Sequence, residues 1–294
     1  MARSANRILG RDELIASYYT ICGTLPFESS RFSFAERVAA AAAAGFSAIG
    51  LIIKDYLACR ERLSTAAMRT ILDDHGQTVA EIELMGDWWD DGERGKRARL
   101  NEERAYEAAD ALGGRHLQLT AIGEDESEFP SIEIVADRFA ALSERAAKHN
   151  LLVALEFLPW TGIPDAKTAW AIARNAGDNA GVLVDTWHHF RGANDPQQIR
   201  AIPPKRITAI QFDDADEFPG GDLLADTMRR RLPGQGTFDL VGFIRLLDEI
   251  GVQAPISVEV ISPEQAARPV AEAARLAHDT TQAVLARARG GSRR

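Results

Sequence analysis

The stretch Gly181-Val-Leu-Val-Asp-Thr-Trp-His188 reads as a short buried strand whose carboxyl end carries Asp185 and, three residues on, His188. Three other segments end alike: Leu151-Leu-Val-Ala-Leu-Glu156, Ile207-Thr-Ala-Ile-Gln211 and Pro255-Ile-Ser-Val-Glu259. Each is an apolar run closed by a residue that can bind a metal ion. In a closed parallel barrel the carboxyl ends of the strands meet at one mouth, so Glu156, Asp185, Gln211 and Glu259 can surround a single ion.

Outward from these segments the chain alternates strand and helix. Strands are expected near 14–21, 46–53, 78–84, 116–122, 151–158, 181–187, 207–213 and 255–261. Helices are expected at 34–44, 65–75, 97–112, 132–148, 166–175, 196–201, 240–250 and 265–288. Gly45, Gly76, Gly113 and Gly251 stand where helices should stop, since glycine accepts the left-handed conformation there. This alternation predicts a (β/α)8 TIM barrel, read as one domain over 1–294, with 286–294 a disordered basic tail. An open doubly wound sheet is the alternative. No G-x-G-x-x-G follows a strand, and the polar strand ends are spread over several strands.

Composition agrees with a soluble globular protein. The 294 residues are 46% hydrophobic and 26% charged, with formal charge −9. That charge argues against nucleic acid as a partner. No apolar run reaches the ~20 residues of a membrane helix, the first residues lack a signal-peptide pattern, and Cys22 and Cys59 are the only cysteines. A cytoplasmic protein without disulfides or a membrane partner is expected.

Side-chain parity sharpens the four-residue constellation. If Glu156, Asp185, Gln211 and Glu259 face inward, their immediate neighbours face the helices, and seven of these eight (all but Thr186) are apolar. The residues two positions earlier, Ala154, Leu183, Ala209 and Ser257, should then fill the barrel interior. Acidic side chains crowded into one cavity repel one another and are costly to desolvate, which a divalent cation resolves.

With Leu-Glu156-Phe, Asp185-Thr-Trp-His188, Gln211-Phe-Asp-Asp214 and Glu259 on the page, the chain resembles the xylose isomerase-like TIM barrels of the sugar phosphate isomerase/epimerase group. The resemblance implies a divalent ion held by Glu156, Asp185, Gln211 and Glu259, with Gln211 standing where the family has histidine. An oxygen-only shell favours Mg2+ or Mn2+ over Co2+ or Zn2+. It also implies that Glu156 and Glu259 carry protons as well as bind metal, that His188 holds substrate oxygen, and that an arginine after the seventh strand meets the substrate. Within Arg229-Arg-Arg231 the candidate is Arg231. Homodimers or homotetramers are common in such a family.

Glu83 faces inward near the mouth, where it is expected either to meet a substrate hydroxyl or to pair with Lys54 or Arg115. Lys54 is itself a candidate substrate contact. Trp88, Trp89, Trp160 and Trp187 fall at mouth positions, which predicts a substantial apolar wall, with Trp187 a candidate contact and a cyclic or otherwise bulky polyhydroxylated small molecule as substrate. The function expected is a metal-dependent isomerase or epimerase of a sugar-like α-hydroxy carbonyl compound, working by proton transfer through a metal-stabilised enediolate. A lyase or dehydratase using the same site is the alternative, and a metal-free binding barrel is a remoter one.

Overall fold

The computed structural model describes residues 9–122 and 129–290. Its eight strands are β1 (Leu14–Ala16), β2 (Ala48–Ile52), β3 (Val79–Met85), β4 (His116–Leu119), β5 (Leu152–Glu156), β6 (Ala180–Asp185), β7 (Ile207–Phe212) and β8 (Ile256–Val258). They close in sequence order into a parallel barrel, β1 pairing with both β2 and β8. The expected (β/α)8 architecture is what the chain adopts.

Register realises the parity argument. Asp185 lies opposite Gln211, and Gln211 opposite Ser257, so Asp185, Gln211 and Ser257 share the inward face, with Glu259 two residues beyond Ser257 toward the carboxyl mouth. Beneath them Ala154, Leu183 and Ala209 form a small buried cluster of their own inside the barrel. Their outward neighbours Leu155, Phe157, Val184, Ile210, Phe212, Val258 and Val260 join the main core between strands and helices. That core places the site: strands buried on both faces fix the depth and direction of each strand-end side chain.

Helix ends follow the local chemistry. Ser33 and Glu36 form a reciprocal capping box before the helix Phe34–Ala44, and Gly45, Gly113 and Gly251 close their helices in the left-handed conformation. Three expectations are corrected. The run from 14 to 21 is a strand only to Ala16, because Thr20 turns back to Val258 and Val260 through hydrogen bonds of 2.7 and 2.8 Å, making Tyr18–Ile21 a helical turn. A helix, Ile53–Arg60, directly follows β2. The last helix continues through Gly290, so residues 286–290 are ordered: Val284, Leu285 and Ala288 are buried and Arg289 pairs with Asp248 and Asp12. The rest of the expected tail lies outside the described residues. No helix among those described is long and apolar enough to cross a membrane.

Candidate active site at the barrel mouth

Asp185 ends β6 and caps the helix Thr186–Arg191, its Oδ1 accepting the His188 backbone N–H at 2.9 Å. This cap explains the D-x-x-H spacing: one turn beyond it, His188 is carried over the mouth, its Nε2 3.3 Å from Glu156 Oε1. Suitable ligand atoms of Glu156, Asp185 and His188 all lie within 4.8 Å of one another, a grouping that can hold a metal ion. The side chains of all three are buried.

Arg230 fills the other half of the cluster. Its Nη1 donates to Asp185 Oδ2 at 2.8 Å, Asp213 Oδ2 at 2.5 Å and Glu259 Oε2 at 3.0 Å. Nε and Nη2 donate to Thr227 Oγ1, and the guanidinium lies over the Trp187 ring. Burial alone lowers an arginine pKa, but these three carboxylates outweigh it and hold Arg230 above its ordinary value. The carboxyls respond in the opposite sense. Burial, with the charges of Glu156 and Asp185, pushes Glu259 well above the usual carboxylate range against the pull of Arg230. Asp213 is raised by burial and by Asp185.

Gln211 lies between Gln118 and Glu259, donating from Nε2 to Gln118 Oε1 at 3.2 Å and to Glu259 Oε1 at 3.0 Å. Its own oxygen is buried without a hydrogen-bond partner. That orphaned acceptor, the raised carboxyl groups and the two-carboxylate, one-imidazole grouping fit a divalent cation. Of the expected ligands, Glu156 and Asp185 belong to that grouping. Glu259 and Gln211 border it, with the amide N–H rather than the amide oxygen turned toward Glu259.

Glu83 meets neither Lys54 nor Arg115. Its Oε1 accepts the Tyr18 backbone N–H at 2.7 Å and its Oε2 the Ser17 hydroxyl at 3.3 Å, and the same hydroxyl lies 3.1 Å from Glu259 Oε1. Glycine at 50 makes this possible, since a Cβ there would fall 1.9 Å from Glu83 Oε1. Burial raises the Glu83 pKa well above the carboxylate range, with Glu81 and Glu259 adding to the rise.

Other candidates sit elsewhere. Lys54 falls in the first turn of the helix after β2 and is exposed, its Nζ 2.8 Å from the Phe27 carbonyl. Arg231 points outward to Asp216 and Glu264. An antiparallel bridge between Asp214 and Arg231 explains why: in extended backbone, adjacent side chains take opposite faces, so Arg230 is the inward member of the pair. Asp214 anchors that segment by accepting the backbone N–H groups of Gly234, Gly236 and Phe238. Trp187 is fully buried behind Trp160 and His188, and Trp88 and Trp89 pack against Phe139 and Phe129. Of the four tryptophans, only Trp160 lines the cavity.

That cavity, about 490 Å³, has Glu83, Gln118, Glu156, His188, Arg230 and Glu259 on its floor and Tyr19, Phe27, Trp160, Leu224 and Met228 on its walls. Arg230, and not the expected Arg231, lines the cavity, and Tyr19 and Phe27 join it from the segment after β1. Strand-end parity carries no information about residues on loops.

The sequence profile of the xylose isomerase-like TIM barrel family matches residues 38–279, nearly the whole barrel. The chain belongs to this family. Among curated relatives, a 3-dehydroshikimate dehydratase of Pseudomonas aeruginosa is 29% identical over 85% of this chain and 38% of its own length. An inosose isomerase of Bacillus velezensis is 29% identical over 56% of this chain and 58% of its own. The xylose isomerase-like chain thus spans less than two thirds of each. In three dimensions it superposes on the IOLI protein, solved with a binding zinc atom, with a TM-score of 0.82 at 21% identity over 93% of this chain and 98% of that one. At that identity the likeness is one of fold. Both isomerases and dehydratases are therefore among the relatives of this barrel.

Proposed function

We propose that this barrel is a divalent-metal-dependent isomerase or epimerase of a sugar-like α-hydroxy carbonyl compound, acting by proton transfer through an enediolate. The observation that carries the reading is the buried grouping of Glu156, Asp185 and His188, of which Glu156 and His188 line the floor of a ligand-sized cavity together with Glu259. Glu156 and Asp185 would hold the ion, with His188, or else Gln211 and Glu259, completing its shell. A bound divalent cation supplies Lewis-acid polarisation of the substrate carbonyl. Mg2+ or Mn2+ suits the oxygen-rich donor set, and a contribution from His188 nitrogen would move the preference toward Mn2+ or Zn2+.

Proton transfer falls to Glu156 and Glu259, which both line the cavity. Glu259, whose carboxyl is held above the usual carboxylate range by burial and by Glu156 and Asp185, is suited to exchange a proton with carbon. Ser17 joins Glu259 to Glu83, a second buried carboxyl that can keep the proton inside the barrel. His188 and Gln118 border Glu156 and orient substrate oxygens beside it. A homodimer or homotetramer in the cytoplasm completes the reading.

The lyase alternative is favoured by one specific observation, the dehydratase relative that aligns with 85% of this chain. The test is incubation of the Mn2+- or Mg2+-treated protein with cyclic and acyclic α-hydroxy ketones in D2O, followed by mass spectrometry. An isomerase yields product of unchanged composition with deuterium at the exchanged carbon, whereas a dehydratase yields product lacking the elements of water. Failure to bind any divalent ion, together with no exchange and no elimination, overturns the catalytic reading.

A further inference from the structure

The barrel has a second cavity, at the end opposite the acidic cluster. Its volume is about 650 Å³. Thr78, Arg115, Leu152, Ile207 and Ala254 line it and stand at or just before the starts of β3, β4, β5, β7 and β8. Leu152 and Ile207 make the wall apolar, and Gly113 and Gly114 leave room beside them. The size is that of a small-molecule site.

One guanidinium stands in this wall. Arg115 Nη1 donates to the Thr208 carbonyl at 2.8 Å and faces His116 Nδ1 at 3.2 Å. Nε and Nη2 have no hydrogen-bond partner among the described residues, and neither atom is sealed from solvent. Glu81 is the carboxyl whose charge reaches Arg115, but it accepts the Ser257 hydroxyl at 2.6 Å and lies 3.5 Å from His116 Nε2, with no ion pair to Arg115. The described lining contains no aspartate or glutamate. Lys205, at the rim, is exposed and faces Asp178 at 3.9 Å.

The buried arginines Arg37, Arg206 and Arg230 each pair with a carboxylate. Arg115 is half-buried and has none, and burial without a counter-charge pushes its pKa down to about 10. It is therefore a charged guanidinium at neutral pH in an apolar wall, a group that a negative partner would stabilise. The Nε–Nη2 edge carries two parallel N–H groups, the geometry that meets a carboxylate side-on. The Thr208 carbonyl holds the guanidinium from β7, so that edge is pre-organised. One negative charge matches this site better than two. The helices that stop at Gly113 and Gly251 turn their carboxyl ends to the same cavity, and the dipole there opposes a surplus anion.

We propose that this amino-terminal cavity is a second binding site, taking a small monocarboxylate with an apolar body, whose carboxylate meets the Nε–Nη2 edge of Arg115. The apolar body lies against Leu152 and Ile207. The described lining residues of this cavity and of the carboxyl mouth do not overlap, so the site is independent of the catalytic reading.

Calorimetric titration of the full chain at low ionic strength with benzoate, benzyl alcohol and phenyl phosphate tests it. Benzoate is expected to bind about tenfold or more tightly than the neutral alcohol or the phosphate. Arg115→Gln should weaken benzoate by about tenfold or more, whereas Trp160→Ala, on the wall of the carboxyl mouth, should change it less than about twofold. Arg115 also ties down the Thr208 carbonyl, so circular dichroism checks that its variant folds. Lys205→Glu reverses a charge at the exposed rim without removing a buried contact, and should weaken benzoate by about threefold or more. Absence of benzoate binding would overturn the proposal, as would benzyl alcohol or phenyl phosphate binding as tightly as benzoate. So would affinity indifferent to a folded Arg115→Gln or to Lys205→Glu, or a loss in Trp160→Ala equal to that in Arg115→Gln, which would move the benzoate to the mouth.

Discussion

Arg230 and Asp185 are joined at 2.8 Å inside a cluster where the same guanidinium nitrogen also serves Asp213 and Glu259. The arginine is therefore the internal counter-charge of the acidic floor. Removing one partner from a buried charge network leaves the others uncompensated, at a cost of about 3–5 kcal/mol. Arg230→Met should lose stability on that scale in chelator, measured by urea denaturation, and recover part of it when Mn2+ is added. Arg231→Gln, which breaks pairs with Asp216 and Glu264 at the surface, should change stability by less than about 1 kcal/mol. Equal losses in the two variants would refute this division of roles.

The metal reading makes a separate prediction. Glu156→Gln and Asp185→Asn should each weaken Mn2+ binding at least tenfold, measured by competition with a chromogenic chelator. His188→Ala and Gln211→Ala then identify the third ligand: the variant with the larger loss names it. Unchanged affinity in both carboxylate variants would exclude this cluster as the metal site.

For proton transfer the discriminating variant is Glu259→Gln. It keeps the side-chain shape while removing the titrating group, and general acid–base catalysis commonly contributes 10²–10⁴-fold. Deuterium exchange into substrate should fall on the order of a hundredfold or more while substrate binding changes much less. An exchange rate within threefold of the parent would show that Glu259 carries no proton in the reaction.

His189, next to the site, offers a test of pH dependence. Its ring is buried between Phe190 and Phe243, and burial lowers its pKa to about 4. The unfolded chain, with a histidine pKa near 6.5, binds the proton more readily, so acid favours unfolding. The neutral-imidazole contribution is complete above about pH 6.5 and is lost as pH falls toward 4, amounting to roughly 2–3 kcal/mol at the lower end. His189→Phe should flatten that part of the stability profile. An unaltered slope between pH 6.5 and 4 would show that His189 is not the group responsible.

Gly50 links the backbone of β2 to the carboxyl of Glu83. A methyl group there would fall 1.9 Å from Glu83 Oε1 and 2.8 Å from the Tyr18 nitrogen. Gly50→Ala should cost about 1–3 kcal/mol through overpacking, and it should lower deuterium exchange by displacing Glu83 from Ser17. A variant with parental stability and exchange would argue against this close packing.

Much of this molecule is legible along the chain. Strand and helix alternation, with glycine at helix stops, specifies the barrel because period and punctuation are local properties. Parity places Glu156, Asp185, Gln211 and Glu259 on the inward face because side chains alternate strictly along a strand that is buried on both faces. Asp185 and His188 are readable together because a cap and the first turn of a helix lie within four residues of each other. What period and parity cannot reach is the loops. Arg230 or Arg231 as the inward arginine was decided by a backbone bridge to Asp214, seventeen residues earlier than Arg231. Lys54 left the site because a helix starts immediately after β2, and Phe27 entered it because the chain after β1 folds over the mouth. The direction of the Gln211 amide depends on Gln118 and Glu259, which come from other strands. The sequence by itself determined which strands converge and what chemistry their ends carry. Only the tertiary structure decided which loop side chains complete the site, because those contacts join segments distant in the chain and follow no repeating geometry.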